Sequence, residues 1–179
     1  CLLISQYEWY MMKINKNYYL IGVIFLFLSF FSVYKLTNYE LGYSHFIFIL
    51  LICVSSDIGG YFIGKIFKGK KLTKISPNKT YSGMFGSFIL SFIFSFIFIK
   101  FTNIFTHSLN NIINIVIFIF FISSISQIGD IIISYFKRKS KVKHTGNIIP
   151  GHGGLIDRID GMIFAFPLGY LFLTLEILK

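Results

Sequence analysis

The sequence predicts an all-α, polytopic transmembrane helical bundle of about five spans. Three observations predict it: 55% of the residues are hydrophobic, only 13% are charged, and long apolar runs carry no charge at all. Ordinary globular domains are nearer a quarter charged. A mean hydropathy of +0.72 over 179 residues leaves more apolar surface than a soluble domain of that length hides. The run Tyr19 to Val33 is one such stretch, approaching the roughly 20 residues that cross a hydrocarbon core. Backbone groups in lipid must bond within their own segment, which makes each run a helix.

Five segments follow from the hydropathy pattern: Tyr18 to Tyr34, Ser44 to Phe67, Gly83 to Ile99, Ile112 to Phe136 and Met162 to Leu178. Residues 1–16 are mixed and read as the end of an earlier span, and a chain opening with Cys1 rather than Met reads as N-terminally truncated. With no repeat and no long linker, residues 1–179 are read as one integral-membrane domain. Cys1 and Cys53 are far apart and Cys53 lies in an apolar run, so neither a disulfide nor a Cys/His metal site is expected.

The basic residues sort by segment. Lys65, Lys68, Lys70, Lys71, Lys74 and Lys79 gather around the second connection, and Lys137, Arg138, Lys139, Lys141, Lys143 and Arg158 around the fourth. Lys13 and Lys16 precede the first span, which leaves only Lys35, Lys100 and Lys179 for the opposite face. The positive-inside rule then puts the N-terminus and both basic loops in the cytoplasm and the C-terminus outside. Topology and attraction to anionic headgroups account for the net charge of +10, and no nucleic-acid partner is expected.

Chemistry is concentrated in the fourth segment and the loop after it. Ser123, Gln127, Asp130, Ser134 and Lys137 or Arg138 recur at three- and four-residue steps, which aligns them on one helix face. An aspartate at the centre of a membrane helix costs about 2.5–3.5 kcal/mol to insert and usually marks a pathway or site. A polar seam between packed helices would show the same spacing. The second segment repeats the pattern with Cys53, Asp57, Gly60, Tyr61 and Gly64, whose glycines allow close approach. Asp57 and Asp130 both fall toward the cytoplasmic ends of their helices, where a divalent cation would be a natural partner.

The loop continues as Gly146-Asn-Ile-Ile-Pro-Gly-His-Gly-Gly-Leu-Ile-Asp-Arg-Ile-Asp160. Glycines at 151, 153 and 154 let backbone N–H groups turn toward an anion. Asp157 and Asp160, three apart, project to the same side of a starting helix, and such oxygen ligands suit magnesium. Singly, each element has a plainer reading: an acid favouring a helix N-terminus, a Pro-Gly turn, a structural histidine. Fifteen residues of this kind in one run are not explained that way.

The stretch resembles the signature of phosphatidate cytidylyltransferases, through Ser134, Lys137, Arg138, Lys143, Gly146, Pro150, His152, Gly153, Gly154, Asp157, Arg158 and Asp160. Asp57-Ile-Gly-Gly-Tyr-Phe-Ile-Gly64, Lys74-Ile-Ser-Pro-Asn-Lys-Thr80 with Gly83, and Gln127-Ile-Gly-Asp130 extend the similarity from the second span to the last. The chain is similar to the C-terminal two-thirds of such proteins. It departs at His144, where the family has Asp, and at Tyr81-Ser82, where Trp-Glu often stands. No role is carried over for those acids, and His144 is expected on the phosphate-facing loop rather than in the metal cluster.

The resemblance implies a cytidylyltransferase domain of phospholipid biosynthesis that joins CTP to phosphatidic acid, releasing pyrophosphate and forming CDP-diacylglycerol. It implies a bacterial inner-membrane location with cytoplasmic active loops, Mg2+ as cofactor, and CTP, phosphatidic acid and membrane lipids as partners; a homodimer is one arrangement left open. By the same resemblance Asp130, Asp157, Lys137, Arg138, His152 and Arg158 are catalytic, with Asp130 and Asp157 holding the metal. Asp57, Lys79, Ser134, Lys143, Gly153, Gly154 and Asp160 bind substrate. A related CTP-using transferase, or a kinase, of another lipid or isoprenoid would share most of these residues. A small transporter subunit lined by Asp57 and Asp130 is the rival of a different class, disfavoured by the His-Gly-Gly and Asp-Arg-Ile-Asp runs.

Overall fold

A computed structural model of the chain describes residues 1–38, 42–73, 75–102, 112–146 and 153–175. Lys74, Pro150, Gly151, His152 and Lys179 lie outside the described residues. Among the described residues six helices follow one another: α1 (Leu2–Met11), α2 (Lys16–Asn38), α3 (Gly42–Phe67), α4 (Tyr81–Thr102), α5 (Ile112–Lys139) and α6 (Ile156–Thr174). The described residues contain one isolated strand-like pairing, Lys71 with Thr80, and the protein is an all-α polytopic membrane protein.

Among the described residues four helices, α2 to α5, are long and apolar enough to cross a membrane. The α5 helix has 28 residues, about 42 Å at 1.5 Å per residue, against roughly 30 Å of hydrocarbon. Its ends therefore reach beyond the apolar layer, and the last turn carries Lys137, Arg138 and Lys139. The fifth expected segment begins earlier than Met162. The α6 helix starts at Ile156, so Asp157, Arg158 and Asp160 form a charged opening to the apolar stretch that follows. Residues 2–11, expected as the end of a span, form the short helix α1.

Two features hold the bundle together. The α4 helix buries a stripe of small residues, Gly83, Gly86, Ser87, Ser91 and Ser95, and α3 meets it with Gly59, Gly60 and Gly64. The backbones come so close that a Cβ on Gly83 would stand 2.7 Å from the Gly60 carbonyl oxygen. Small residues at such crossings supply the packing that drives helix association in lipid. Ser87 Oγ donates across the crossing to the Ser56 carbonyl at 2.7 Å. The second feature is an apolar core of Ile49, Ile52, Phe118, Ile119, Ile122, Ala165 and Phe166, which joins α3, α5 and α6. Outward-facing side chains such as Phe27, Phe31, Ile89 and Phe101 are exposed, as suits helices whose solvent is hydrocarbon.

A smaller apolar cluster seats α1. Trp9 and Met12 pack with Leu26, Ile133, Ile156 and Ile163, and the Trp9 indole donates to the Tyr19 carbonyl at 3.2 Å. Gly22 leaves room for that ring, since a Cβ there would overlap the indole. The start of the chain is thereby docked where α5 ends and α6 begins. Cys1 is exposed and Cys53 buried, and both are free thiols.

Candidate active site

The first basic loop folds into a small hairpin. Leu72 N–H donates to the Lys79 carbonyl at 2.7 Å and Tyr81 N–H to the Lys70 carbonyl at 3.1 Å. This geometry sends Lys79 inward to α5, where its Nζ pairs with the Asp130 carboxylate and donates to the Gln127 carbonyl at 3.2 Å. The loop between α3 and α4 thus lies at the same end of the bundle as the loop between α5 and α6. A cavity of about 270 Å³ opens beside this pair, lined by Ser56, Asp57, Tyr61, Asn78, Lys79, Gln127 and Asp130 among others.

The polar stripe of α5 is real and continuous. Ser123 Oγ donates to Ser56 Oγ at 3.1 Å, Gln127 Nε2 reaches Ser123 at 3.5 Å, and Ser134 Oγ donates to Asp130 Oδ1 at 3.3 Å. One turn further on, Lys137 Nζ lies 2.8 Å from Asp157 Oδ1 and 3.9 Å from Asp160 Oδ2. Asp160 in turn neighbours Asp130. Carboxylates of α5 and α6 therefore alternate with lysine ammonium groups from the first basic loop and the last turn of α5.

Asp157 is the most tightly held member. Its Oδ2 accepts from Thr145 N–H at 3.0 Å and Gly154 N–H at 3.1 Å. Burial pushes its pKa up, but the Lys137 hydrogen bond and the two backbone donors outweigh burial and hold the carboxyl below the ordinary carboxylate range. Gly153 passes over it with φ +85°, and a Cβ there would come within 2.9 Å of Oδ2. The residue is glycine for two reasons, conformation and space. The exposed ring of His144, in the loop after α5, stands 3.5 Å from Asp157 Oδ2.

Oxygen donors for a divalent cation are at hand in Asp130, Asp157 and Asp160. Among the described residues no three His, Cys, Asp or Glu side chains converge closely enough to hold a metal unaided. Magnesium fits such a site, because it typically takes one or two carboxylates and leaves its other positions to water and phosphate. Of the remaining expected residues, Asp57 lines the cavity, while Arg138, Lys143 and Arg158 are exposed. His152 cannot be placed against them, since it lies outside the described residues.

Residues 2–176 match a family described as the cytidylyltransferase family. The chain belongs to the cytidylyltransferase family. Curated relatives named phosphatidate cytidylyltransferase include one from Helicobacter pylori (strain J99 / ATCC 700824), 38% identical over 154 residues, covering 86% of this chain and 54% of the relative. One from Rickettsia bellii (strain RML369-C) is 36% identical over 168 residues, 90% of this chain and 71% of the relative. One from Bacillus subtilis (strain 168) is 34% identical over 137 residues, 76% of this chain and 49% of the relative. The chain spans about half the length of the Helicobacter and Bacillus relatives it matches.

Within this cytidylyltransferase chain, sequence reasoning missed three contributors. Ser56 joins α3 to the α5 stripe, Thr145 supports Asp157 through its N–H, and Glu8 of α1 is buried beside the loop. Ser56 was findable, standing next to Asp57 in a motif already singled out. Glu8 offered no periodic signal in a mixed stretch, and its partners are far away in sequence.

Proposed function

We propose that this chain carries the catalytic part of a phosphatidate cytidylyltransferase, converting CTP and phosphatidic acid to CDP-diacylglycerol and pyrophosphate. The observation that supports it most is the meeting of the Lys79 hairpin, the α5 stripe and the start of α6 in one network of lysines and carboxylates. The names of the relatives supply the substrate pair, and the apolar helices on which the network stands suit a lipid substrate entering sideways.

Both substrates are anions, so the site's main work is neutralising charge and aligning oxygens. A phosphatidate oxygen attacks the α-phosphorus of CTP, the bond to the bridging oxygen breaks, and pyrophosphate leaves with that electron pair. The nucleophile is already ionised, so no general base is required. Lys79 and Lys137 exchange carboxylates for phosphates as substrates enter, and Arg138, Lys143 and Arg158 line the approach, the arginines bidentately. Gly153 leaves the loop's backbone open to a phosphate, the Gly154 N–H is taken by Asp157, and Ser134 keeps Asp130 oriented. Asp130 and Asp157, with Asp160 as the next oxygen donor, would hold Mg2+, whose positive charge would offset that of the phosphates. His152 suits a phosphate donor.

The basic ends of the spans give the active loops a cytoplasmic address, on the side where CTP is found, in a bacterial inner membrane. The deciding experiment uses purified protein in detergent with phosphatidic acid, labelled CTP and magnesium. A lipid-soluble cytidine nucleotide that requires both magnesium and phosphatidic acid is expected. Absence of that product from folded protein would reject the proposal.

A further inference from the structure

Glu8 is 1% exposed in a chain with only seven acidic residues. Its carboxylate accepts from Leu155 N–H at 2.7 Å, Ile156 N–H at 2.9 Å and the Thr145 hydroxyl at 3.0 Å. The first N–H groups of a helix have no partner within it, and the residue at the N-cap of α6, Leu155, has no capping side chain. Glu8 thus performs from α1 the task a Ser, Asp or Asn at the cap would perform locally. Its negative charge also suits the positive end of the α6 dipole.

The same contact reaches Asp157 from two sides. Thr145 gives its hydroxyl to Glu8 and its N–H to Asp157. Gly154, whose N–H also goes to Asp157, has no room for a side chain: a Cβ would overlap Thr145 Oγ1 and stand 2.6 Å from Glu8 Oε2. The space beside the second glycine of the His-Gly-Gly run is therefore taken by Thr145 and Glu8. We infer that Glu8 is a positioning residue of the active site, tying α1 to both strands of the α5–α6 loop so that Asp157 and Asp160 face Lys137. Its link to catalysis rests on the function proposed above.

The test uses the full chain in detergent with Glu8→Gln, Thr145→Val and Thr145→Ser. Glutamine keeps the volume of Glu8 but turns an N–H₂ toward at least one of three donors. Amide hydrogen exchange across residues 153–157 should quicken in Glu8→Gln and Thr145→Val and stay native in Thr145→Ser. Turnover at saturating CTP and magnesium should fall by about 10- to 100-fold in the first two variants, with the KM for CTP changing far less, and Thr145→Ser should keep near-native turnover. Exchange at 153–157 unchanged in Glu8→Gln would overturn the inference, as would a loss of turnover that merely tracks the fraction of unfolded protein. If the unsubstituted chain makes no CDP-diacylglycerol, the function proposal fails and the exchange comparison alone decides whether Glu8 positions Asp157.

Discussion

Lys79 leaves the hairpin between α3 and α4 to pair with Asp130 on α5, and its Nζ also caps the Gln127 carbonyl on the same helix. This one side chain stitches the first basic loop to the helix that leads into the second. Lys79→Met is expected to lower turnover on the order of 100-fold, the scale seen when a charge-stabilising donor is removed. Lys79→Arg should keep part of the activity. Near-native turnover in Lys79→Met, measured with labelled CTP, would remove this lysine from the site.

Asp157→Asn keeps the side chain's shape but takes away the charge that Lys137 faces at 2.8 Å. Most activity should disappear while the protein remains folded and inserted. His144→Ala, by contrast, removes an exposed ring 3.5 Å from a carboxylate oxygen that already has two backbone donors. A several-fold weaker apparent affinity for CTP is expected there, with turnover largely kept. Steady-state kinetics separate the two, and full turnover in Asp157→Asn at saturating magnesium would contradict the assignment.

Gly86→Val tests the α3–α4 crossing, where a Cβ would come 2.7 Å from the Gly59 carbonyl oxygen. Overpacking of this kind costs about 1–3 kcal/mol. The thermal unfolding midpoint in detergent should drop clearly, since neither backbone can withdraw without opening the seam. An unchanged midpoint would mean that the helices do not approach this closely.

Sidedness is tested with Lys141→Cys in a Cys1→Ser background, where the remaining Cys53 is buried. Position 141 is exposed on the loop after α5, whereas the hydroxyl of neighbouring Ser140 is buried and makes a poor handle. Reagents that reach only the cytoplasm should label the cysteine, and impermeant reagents outside intact cells should not. Labelling from outside would reverse the proposed topology.

Much of this arrangement was legible in the sequence because helices convert spacing into direction. Ser123, Gln127, Asp130, Ser134 and Lys137 share a face at 3.6-residue periodicity, and the contacts of that face follow. The glycines of α3 announced a close crossing, although the small-residue stripe of α4 that completes it was not singled out. Loop geometry was less accessible. His144, in the loop after α5, stands against Asp157 of α6, and no local periodicity encodes that contact. Glu8 was hidden for a different reason: among the described residues most of its donors are backbone N–H groups, present at nearly every residue, and its side-chain partner Thr145 is 137 positions away.

The docking of α1 has a practical consequence. Trp9 is the only tryptophan of the chain, and its ring is 3% exposed, edge-on to Phe136 at 5.3 Å, one residue after Glu8. Its fluorescence is therefore a native optical probe of a single event, the seating of the first helix against the end of α5. Emission should shift to the red when that helix lifts away and the indole meets water, so a spectrometer can follow the assembly of this end of the molecule without any added label.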